Sequence, residues 1–248
     1  MKYAVITGTS KGLGASIAKL LMKASYHVIG IARNENKEFA SLTSQYTHYK
    51  ADLANMDETV TVMSQIISKL KQEKVDSLLL IQNAAMVTPI EQVGKQSVDA
   101  LKNHVHVNLL APMVITNLWL DEWRESKIPS VIVHVTSGAA KRSVYGWSAY
   151  GSTKAGLDRY TDTVAMEQDT LQTGNKIFLF DPSIMDTDMQ GEIRSSDSSQ
   201  FIDVDHFKVY KTNNDLRDTE VVAKVLVDRL LQSEKIVNGD YYSVKDIF

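Results

Sequence analysis

Cysteine is absent from the chain of 248 residues. Without cysteine the protein can form neither a disulfide framework nor a thiolate metal site. An oxidising compartment would therefore give this chain no covalent cross-link. The lack of cysteine favours a cytoplasmic location.

Long apolar runs and long blocks of like charge are missing as well. No apolar stretch approaches the ~20 residues that a membrane-spanning helix needs, and the first strand-like run begins at Lys2, so we expect no signal peptide. A formal net charge of −3 and a pI near 6.1 argue against a surface for nucleic acid or an anionic membrane. We expect small molecules as partners, with no nucleic acid and no membrane.

Apolar strand-like runs alternate with helical ones along the whole chain, as in a βα repeat. The strand-like runs are Lys2–Gly8, His27–Arg33, Thr47–Leu53, Ser77–Asn83, Val131–Ser137, Lys176–Asp181 and Asp240–Val244. The fourth and fifth runs are apolar without alternation, which is typical of central parallel strands covered on both faces. The pattern predicts an α/β fold of the Rossmann type, a doubly wound parallel sheet of about seven strands flanked by helices, as a single domain over residues 1–248.

A glycine-rich turn lies near the start of the chain. It reads Gly-Thr-Ser-Lys-Gly-Leu-Gly over residues 8–14, follows the strand-like run 3–7 and opens a helix-like run over 15–24. This context is the one that a phosphate-binding turn requires, because the amides at a helix start attract anions. The alternative interpretation is an ordinary tight turn between strand and helix.

Tyr150 and Lys154 are four residues apart, and Ser137 lies thirteen residues before the tyrosine. Residues at i and i+4 share a helix face, so the Lys154 ammonium can lie beneath the Tyr150 phenol, lower its pKa and enable proton exchange near neutral pH. Tyr-x-x-x-Lys alone is more often a solvated helix face. Beside a dinucleotide site, a tuned phenol indicates redox chemistry between a carbonyl and an alcohol.

These motifs together resemble the short-chain dehydrogenases/reductases, in their compact branch, over nearly the whole chain. The turn from Thr7 to Gly14 is similar to the family's cofactor turn, Asp52-Leu53 to its adenine contact, and residues 82–85 to its Asn-Asn-Ala-Gly segment. Asn108, Ser137, Tyr150 and Lys154 follow the order of its catalytic tetrad. Within the family, residues 145–150 and 181–190 most resemble the sepiapterin reductases and the bacterial benzil reductases.

The resemblance implies an NADP-binding reductase domain. The residues expected to contact the cofactor are Ile6, Gly8, Ser10, Lys11, Gly12, Leu13, Gly14, Arg33, Asp52, Leu53, Asn83, Ala84, Tyr150, Lys154, Pro182, Ile184 and Thr187. Three positions depart from the family pattern: Gln82 replaces an asparagine, while Ala85 and Ser183 each replace a glycine. These changes add side chains where the backbone is expected to pass close to the cofactor.

Cofactor choice is expected to be decided at the end of the second strand. An acidic side chain there would bind the ribose 2′-hydroxyl of NAD and repel the phosphate of NADP, but this chain has Ala32-Arg33. Lys11 adds a cation on the same side, so the pattern favours NADPH. The alternative is that both cations are simply solvated.

In the mechanism that we expect, a hydride reaches the carbonyl carbon while Tyr150 delivers a proton to the carbonyl oxygen and Ser137 holds that oxygen. Lys154 is expected to tune Tyr150 and to bind the nicotinamide ribose. The family resemblance alone implies that Asn108 holds a water that passes protons from solvent. No metal takes part in this hypothesis.

The substrate is expected to be one carbonyl of an aromatic or vicinal dicarbonyl, shaped like benzil or sepiapterin. Trp147, Tyr145, Met185 and Met189 lie near the expected mouth of the site, where they would form a flat, apolar and adaptable pocket together with Ser137. The alternative is that Tyr145 and Trp147 pack in the core or in a subunit interface. A reductase of 3-oxoacyl carriers or other ketones is the main competing enzyme.

The polar, serine-rich stretch within residues 190–218 follows the sixth strand and is expected to be a substrate lid, or else a plain surface excursion. His104 and His106 are two residues apart and so do not share a helix face, which predicts packing rather than a metal site. Non-catalytic alternatives are an NADP-sensing regulator and a structural subunit. Long paired helices in such folds favour a homodimer or homotetramer.

Overall fold

A single sheet of seven strands forms the centre of the molecule in a computed structural model, which describes residues 1–124, 128–231 and 236–247. The strands are β1 Lys2–Thr7, β2 Tyr26–Ala32, β3 Tyr46–Lys50, β4 Ser77–Gln82, β5 Ser130–Val135, β6 Lys176–Asp181 and β7 Tyr241–Ser243. Their order in the sheet is β3-β2-β1-β4-β5-β6-β7, and each neighbouring pair is parallel. The predicted fold class is confirmed.

Helices cover both faces of this sheet. They are α1 Gly12–Lys23, α2 Met56–Leu70, α3 Val98–Val105, α4 Ala111–Glu122, α5 Ser148–Thr170, α6 Asp188–Arg194, α7 Val204–Thr212, α8 Thr219–Lys224 and α9 Val244–Ile247. A π-helical turn, His106–Leu110, joins α3 to α4, another, Val225–Leu231, continues α8, and a 3₁₀ turn, Gly138–Lys141, follows β5. Across the described ranges no helix combines the length and the apolar character that a bilayer span requires.

The central strands send alternate side chains into two separate cores. In β1, Ala4 and Ile6 join the core beneath α1 and α8, whereas Tyr3 and Val5 join the core beneath α2, α4 and α5. The strand is uniformly apolar because neither face meets water. β4 and β5 divide in the same way, with Leu79 and Val133 in the first core and Leu80 and Ile132 in the second, so the prediction that the fourth and fifth runs are covered on both faces is confirmed.

Side chains cap the starts of α2 and α8. The Asn55 side chain accepts hydrogen bonds from the amides of Asp57 and Glu58 at the start of α2, and Asp218 does the same for α8. Both caps satisfy amides that the first helical turn leaves without partners, and each is worth about 1 kcal/mol. The caps fix where the flanking loops leave the sheet.

The strand order reverses between β1 and β4, which lie side by side. In an open parallel sheet such a reversal leaves a crevice at the carboxyl ends of the strands, where ligands bind. The glycine-rich turn follows β1 and the Asn83-Ala84 pair follows β4, so both reach this crevice. Topology alone therefore brings two of the predicted cofactor segments together.

Candidate active site

The glycine-rich turn has a backbone that side chains would obstruct. Gly8 and Gly12 have φ angles of +78° and +59°, which favour glycine. A Cβ atom on Gly14 would lie 2.2 Å from the Gly8 carbonyl oxygen, whereas one on Gly12 would meet only the Thr187 methyl group, at 3.7 Å. The turn is thus packed closely on its inner side and open on the side of Gly12.

Helix α1 begins inside this turn, at Gly12. Its cap residue, Lys11, makes no side-chain hydrogen bond to the first-turn amides. A helix start combines such amides with the positive end of the helix dipole, so it suits a phosphate group. The open side of Gly12 and these amides fit the diphosphate of a dinucleotide.

Asn83 and Thr7 brace the turn from β4. The Asn83 side-chain amide donates to the carbonyl oxygens of Thr7 (3.0 Å) and Gly8 (3.3 Å), and the Thr7 hydroxyl accepts from the amides of Asn83 and Ala84. Every bond joins the ends of two adjacent parallel strands. The predicted cofactor residues Gly8, Asn83 and Ala84 are therefore brought together, while Ile6 is fully buried behind them.

Gln82 does not obstruct this site. Its side-chain amide donates to the Pro112 carbonyl (2.9 Å) and to the Thr116 hydroxyl (2.7 Å), both on α4. The extra length of glutamine thus extends away from the glycine turn, into a buried polar network.

Ser183 adopts the backbone conformation that a glycine would adopt freely. Its φ angle is +61°, which costs a residue with a side chain about 1 kcal/mol. Two contacts hold it there: its amide donates to Asp181 Oδ1 (2.9 Å), and Arg217 donates to its hydroxyl (3.1 Å). The glycine-like turn between Pro182 and Ile184 is therefore kept despite the substitution.

The two predicted phosphate-binding cations have different surroundings. Arg33 is exposed at the end of β2 and makes no ion pair with another described residue. The Lys11 ammonium forms an ion pair with the Asp188 carboxylate at the start of α6, and both side chains are largely exposed. Lys11 therefore already has an anionic partner, which a cofactor phosphate would have to displace.

Asp52 and Leu53 follow β3, at the outer end of the same crevice. The Asp52 carboxylate accepts from the Ala54 amide (3.0 Å), and Leu53 is buried. The two residues lie beyond the last paired residue, Lys50, so they form the loop that leaves the sheet. That placement is compatible with the adenine contact predicted for them, which stays a prediction.

Ser137, Tyr150 and Lys154 meet at the carboxyl end of β5. Ser137 caps the 3₁₀ turn that follows β5, with its hydroxyl accepting from the Ala139 amide (3.2 Å), and its side chain lies close enough to the Tyr150 phenol to lower the pKa of that phenol. Lys154 lies one turn beyond Tyr150 on α5, with its ammonium 6.0 Å from the centre of the phenol ring. All three lie on the side of the sheet edge where the crevice opens.

The electrostatics of Tyr150 differ from the expectation. Burial raises the pKa of the Tyr150 phenol, hydrogen bonding to Ser137 lowers it, and the negative charge of Asp181 raises it further. The Lys154 ammonium donates to the Val135 carbonyl (2.8 Å) rather than to the phenol. The net shift is upward, so the arrangement of the chain alone favours a protonated phenol.

Lys154 is almost completely buried, with 3% of its surface exposed. Burial lowers the pKa of its ammonium to about 8, and the carboxylates of Asp158 and Asp181 oppose that shift. Asp158 is itself half buried: burial raises the pKa of its carboxyl to about 6, and a hydrogen bond from Thr136 works against this. Two carboxylates therefore lie behind the catalytic lysine.

Asn108 lies in the π-helical turn between α3 and α4 and is buried. Its side-chain amide donates to the Met86 carbonyl (2.7 Å) and to His104 Nε2 (3.0 Å), and its side-chain oxygen accepts from the Met86 amide (2.9 Å). Both amide hydrogens are thus used within the protein, one on the loop after β4 and the other on α3. In an α-helix the amide four residues further on would donate to the Asn108 backbone carbonyl, but that residue is Pro112, which has no N–H.

His104 and His106 have structural partners. His104 Nδ1 donates to the Thr88 carbonyl (2.6 Å), and His106 Nδ1 donates to the Ala54 carbonyl (2.8 Å). No group of three or more side chains suited to a metal ion exists in the described part of the chain. His104 also packs edge-on to the Tyr150 ring, with 6.2 Å between ring centres, so it supports the active-site tyrosine.

An aromatic cluster covers Tyr150. Trp147 is 6% exposed, lies 5.4 Å from the Tyr150 ring and stacks on Phe201 at 5.0 Å. Phe201 and Phe207, from the segment between β6 and β7, are buried against it. The segment 190–218 therefore contributes buried aromatic residues directly above the catalytic tyrosine.

The four predicted pocket residues do not form one group. Met189 packs against the cluster of Trp147, whereas Met185 packs against the core beneath α1 and pairs with Arg217. Tyr145 is 44% exposed. A substrate contact by any of them stays a prediction.

The sequence reasoning missed Asp158, Asp181 and His104 as parts of the site. Asp158 lies four residues after Lys154, and this spacing alone places both side chains on the same helix face. Asp181 ends a strand beside the catalytic serine only because β6 pairs with β5. His104 was correctly predicted to pack, but its contacts with Asn108 and Tyr150 depend on the tertiary fold.

Comparison with known proteins gives the family. The short chain dehydrogenase family model matches residues 2–198. A benzil reductase, (S)-benzoin forming, of Bacillus cereus is 36% identical over 250 residues, covering 99% of this chain and 100% of the relative. A benzil reductase, (S)-benzoin forming, of Bacillus subtilis (strain 168) is 33% identical, covering 99% of both chains.

Among solved structures, the crystal structure of the KRED1-Pglu enzyme superposes with a TM-score of 0.84 at 26% identity, covering 98% of this chain and 100% of that chain. The chain belongs to the short-chain dehydrogenase family. It is an oxidoreductase of that family, whose members use nicotinamide dinucleotides and act on small-molecule substrates.

Proposed function

We propose that this protein is an NADPH-dependent reductase that reduces one carbonyl of an aromatic or vicinal dicarbonyl. The observation that carries the proposal is the burial of the Tyr150 phenol, close to Ser137, directly beneath the aromatic cluster of Trp147 and Phe201. A proton donor lies there against flat apolar surfaces, which suit a planar substrate. The similarity to benzil reductases supports the same substrate class.

In this proposal the cofactor supplies the hydride that reaches the carbonyl carbon. Its diphosphate is held by the amides of Gly12 to Gly14, and Lys154 binds and orients the nicotinamide end. Ser137 donates a hydrogen bond to the carbonyl oxygen, and Tyr150 transfers its proton to that oxygen as charge develops there. The product is an alcohol, and Tyr150 is left as a phenolate to be reprotonated.

Reprotonation is proposed to pass through Lys154 and a water near Asn108. The Asn108 side chain already uses both amide hydrogens on Met86 and His104. A water at this residue would therefore bond to its backbone carbonyl, for which Pro112 provides no α-helical donor. In this proposal the backbone carbonyl of Asn108 holds the water, and the side chain of Asn108 fixes the π-helical turn.

The preference for NADPH is proposed to depend on Arg33. Replacing Ala32 by Asp and Arg33 by Ala should shift the ratio of kcat/KM values for NADPH and NADH towards NADH by about 10–100-fold, because the phosphate loses a charged partner and meets an anion. Steady-state kinetics with both cofactors measure the ratio. Lys37→Ala, which removes an exposed cation from the following loop, is the matched control and should leave the ratio unchanged. A wild type that already prefers NADH would contradict the proposal.

Substrate selectivity tests the dicarbonyl proposal directly. We expect kcat/KM for benzil to exceed that for 2-butanone by at least about tenfold, because the short ketone leaves apolar surface of the aromatic cluster uncovered. The decrease in nicotinamide absorbance with benzil, 2,3-butanedione, 2-butanone, a pterin and an acyl thioester measures the preference. Equal values for benzil and 2-butanone would refute the pocket argument, and a preference for the thioester would favour a 3-oxoacyl reductase.

A further inference from the structure

Asp181 is a buried carboxylate beside the catalytic residues. It ends β6, and 6% of its surface is exposed. Its Oδ2 accepts from the Tyr241 hydroxyl (2.9 Å), and its Oδ1 accepts from the Ser183 amide (2.9 Å). A Cβ atom on Gly138 would lie 3.7 Å from Oδ2, so the carboxylate faces the turn that carries Ser137.

Charged and titratable groups face this carboxylate from several elements. Helix α5 contributes Tyr150, Lys154 and Asp158, and β7 contributes Tyr241. The Lys141 ammonium lies 3.0 Å from the centre of the Tyr241 ring. Further out, Asp246 of α9 acts on Tyr241 and Asp162 of α5 acts on Asp158.

Among the described residues, Asp181 is the carboxylate that acts on both members of the catalytic pair. Its charge raises the pKa of Tyr150 and that of Lys154, against the effect of burial on the lysine. The charge of Asp158 acts on Lys154, and no corresponding effect on Tyr150 is resolved. The contacts with Tyr241 and Ser183 fix the orientation of the Asp181 carboxylate, so its charge has a constant position relative to the phenol.

We propose that Asp181 is a positioning residue for proton transfer: held by Tyr241 and Ser183, its negative charge keeps the proton on Tyr150 and extends carbonyl reduction to higher pH. The proposal builds on the proposed reductase function. In the step concerned, the Tyr150 O–H bond breaks and an O–H bond forms at the substrate oxygen, while the carbonyl carbon receives the hydride of NADPH. A bound proton on Tyr150 is needed for reduction, and a phenolate is needed for the reverse oxidation.

Asp181→Asn tests the charge at nearly constant volume. Losing the negative charge stabilises the Tyr150 phenolate, so the phenol loses its proton at lower pH. We expect the alkaline limb of kcat/KM for reduction to move down by about one pH unit, and the acid limb of alcohol oxidation to move down with it.

Tyr241→Phe is the matched control. It removes one hydrogen bond to Asp181, but the Ser183 amide still holds the carboxylate and the charge is kept, so both limbs of the pH profiles should stay near their wild-type positions. If Asp181 had only a structural role, both variants would change kcat or stability, and the pH profiles of reduction and oxidation would keep their wild-type positions. Unmoved limbs in Asp181→Asn, or equal movement in Tyr241→Phe, would overturn the proposal.

A spectroscopic titration gives a result that needs no substrate. In both the wild type and Asp181→Asn, the phenolate absorbance of Tyr150 is obtained by subtracting the absorbance of the same protein with Tyr150→Phe added. This difference should appear at lower pH, by about one unit, when Asp181 is replaced by Asn. If the Tyr150 phenolate absorbance appears at the same pH with and without Asp181→Asn, the charge effect is wrong. This result does not depend on whether the protein reduces any of the carbonyls tried, so the proposed function and this inference can fail separately.

Discussion

Replacing Tyr150 by Phe is expected to lower kcat by about 10²–10⁴-fold, the usual contribution of general acid catalysis, while leaving NADPH affinity nearly unchanged. The substitution removes the transferable proton and keeps the ring. That ring packs against Trp147 at 5.4 Å and His104 at 6.2 Å, so the aromatic contacts survive. Stopped-flow or steady-state kinetics give kcat, and fluorescence titration gives the NADPH dissociation constant.

Tyr145→Phe provides the matched control, since it removes the same hydroxyl from a tyrosine that is 44% exposed in the same segment. It should leave kcat close to that of the wild type. If Tyr150→Phe retains more than about a tenth of wild-type kcat, the assignment of Tyr150 as proton donor is wrong. A loss of NADPH affinity equal to the loss of kcat would show that the phenol acts in cofactor binding.

The strands were predictable because the central ones are uniformly apolar and separated by helical runs. All seven predicted runs contain the observed strands to within a few residues, and Lys176–Asp181 agrees at both ends. The largest difference is in β3, which ends at Lys50 rather than at Leu53. Asp52 leaves the sheet because its carboxylate bonds the Ala54 amide in a local turn, a contact that strand periodicity does not encode.

The proposed catalytic residues could be named from the sequence, but their electrostatics could not be predicted from it. The spacing of Tyr150 and Lys154 correctly indicated one helix face, but it gave no sign that the net shift of the phenol pKa is upward. Burial raises the pKa of the phenol because the cluster of Trp147 and Phe201 covers it, and Asp181 raises it further from a place that the pairing of β6 with β5 sets. Local spacing fixes which side chains are neighbours on a helix, whereas pKa values depend on the whole surroundings.

Contacts between distant parts of the chain were also beyond the sequence pattern. Lys11 pairs with Asp188 across 177 positions, and Phe201 stacks on Trp147 although the serine-rich segment before it is typical of a surface loop. Two more hydrogen bonds hold residues 199–201: the Gln92 side-chain amide donates to the Ser199 carbonyl (2.8 Å), and the Gln200 side-chain amide donates to the Glu91 carboxylate (3.0 Å). The composition of the serine-rich segment correctly indicated exposed polar residues, but it gave no sign that Phe201 is buried.

The burial of Trp147 changes what its removal should do. Trp147→Ala deletes a large side chain that is 6% exposed and packs on Phe201, Phe207 and Tyr150, so we expect a loss of about 3–5 kcal/mol in the free energy of unfolding. For a chain of this length, such a loss lowers Tm by about 10 °C. Thermal unfolding followed by circular dichroism measures it.

Because of this loss, Trp147→Ala cannot by itself distinguish a substrate contact from a packing role, and Trp147→Phe is the sharper variant. Phenylalanine keeps a ring on Phe201 and should cost less than half as much stability as alanine, since it leaves a smaller cavity. If Trp147 also contacts the substrate, Trp147→Phe should raise KM for benzil while KM for 2-butanone and the NADPH dissociation constant stay unchanged. An equal change for both ketones would assign Trp147 to packing alone, because a side chain that only supports Tyr150 affects every substrate through the same proton donor.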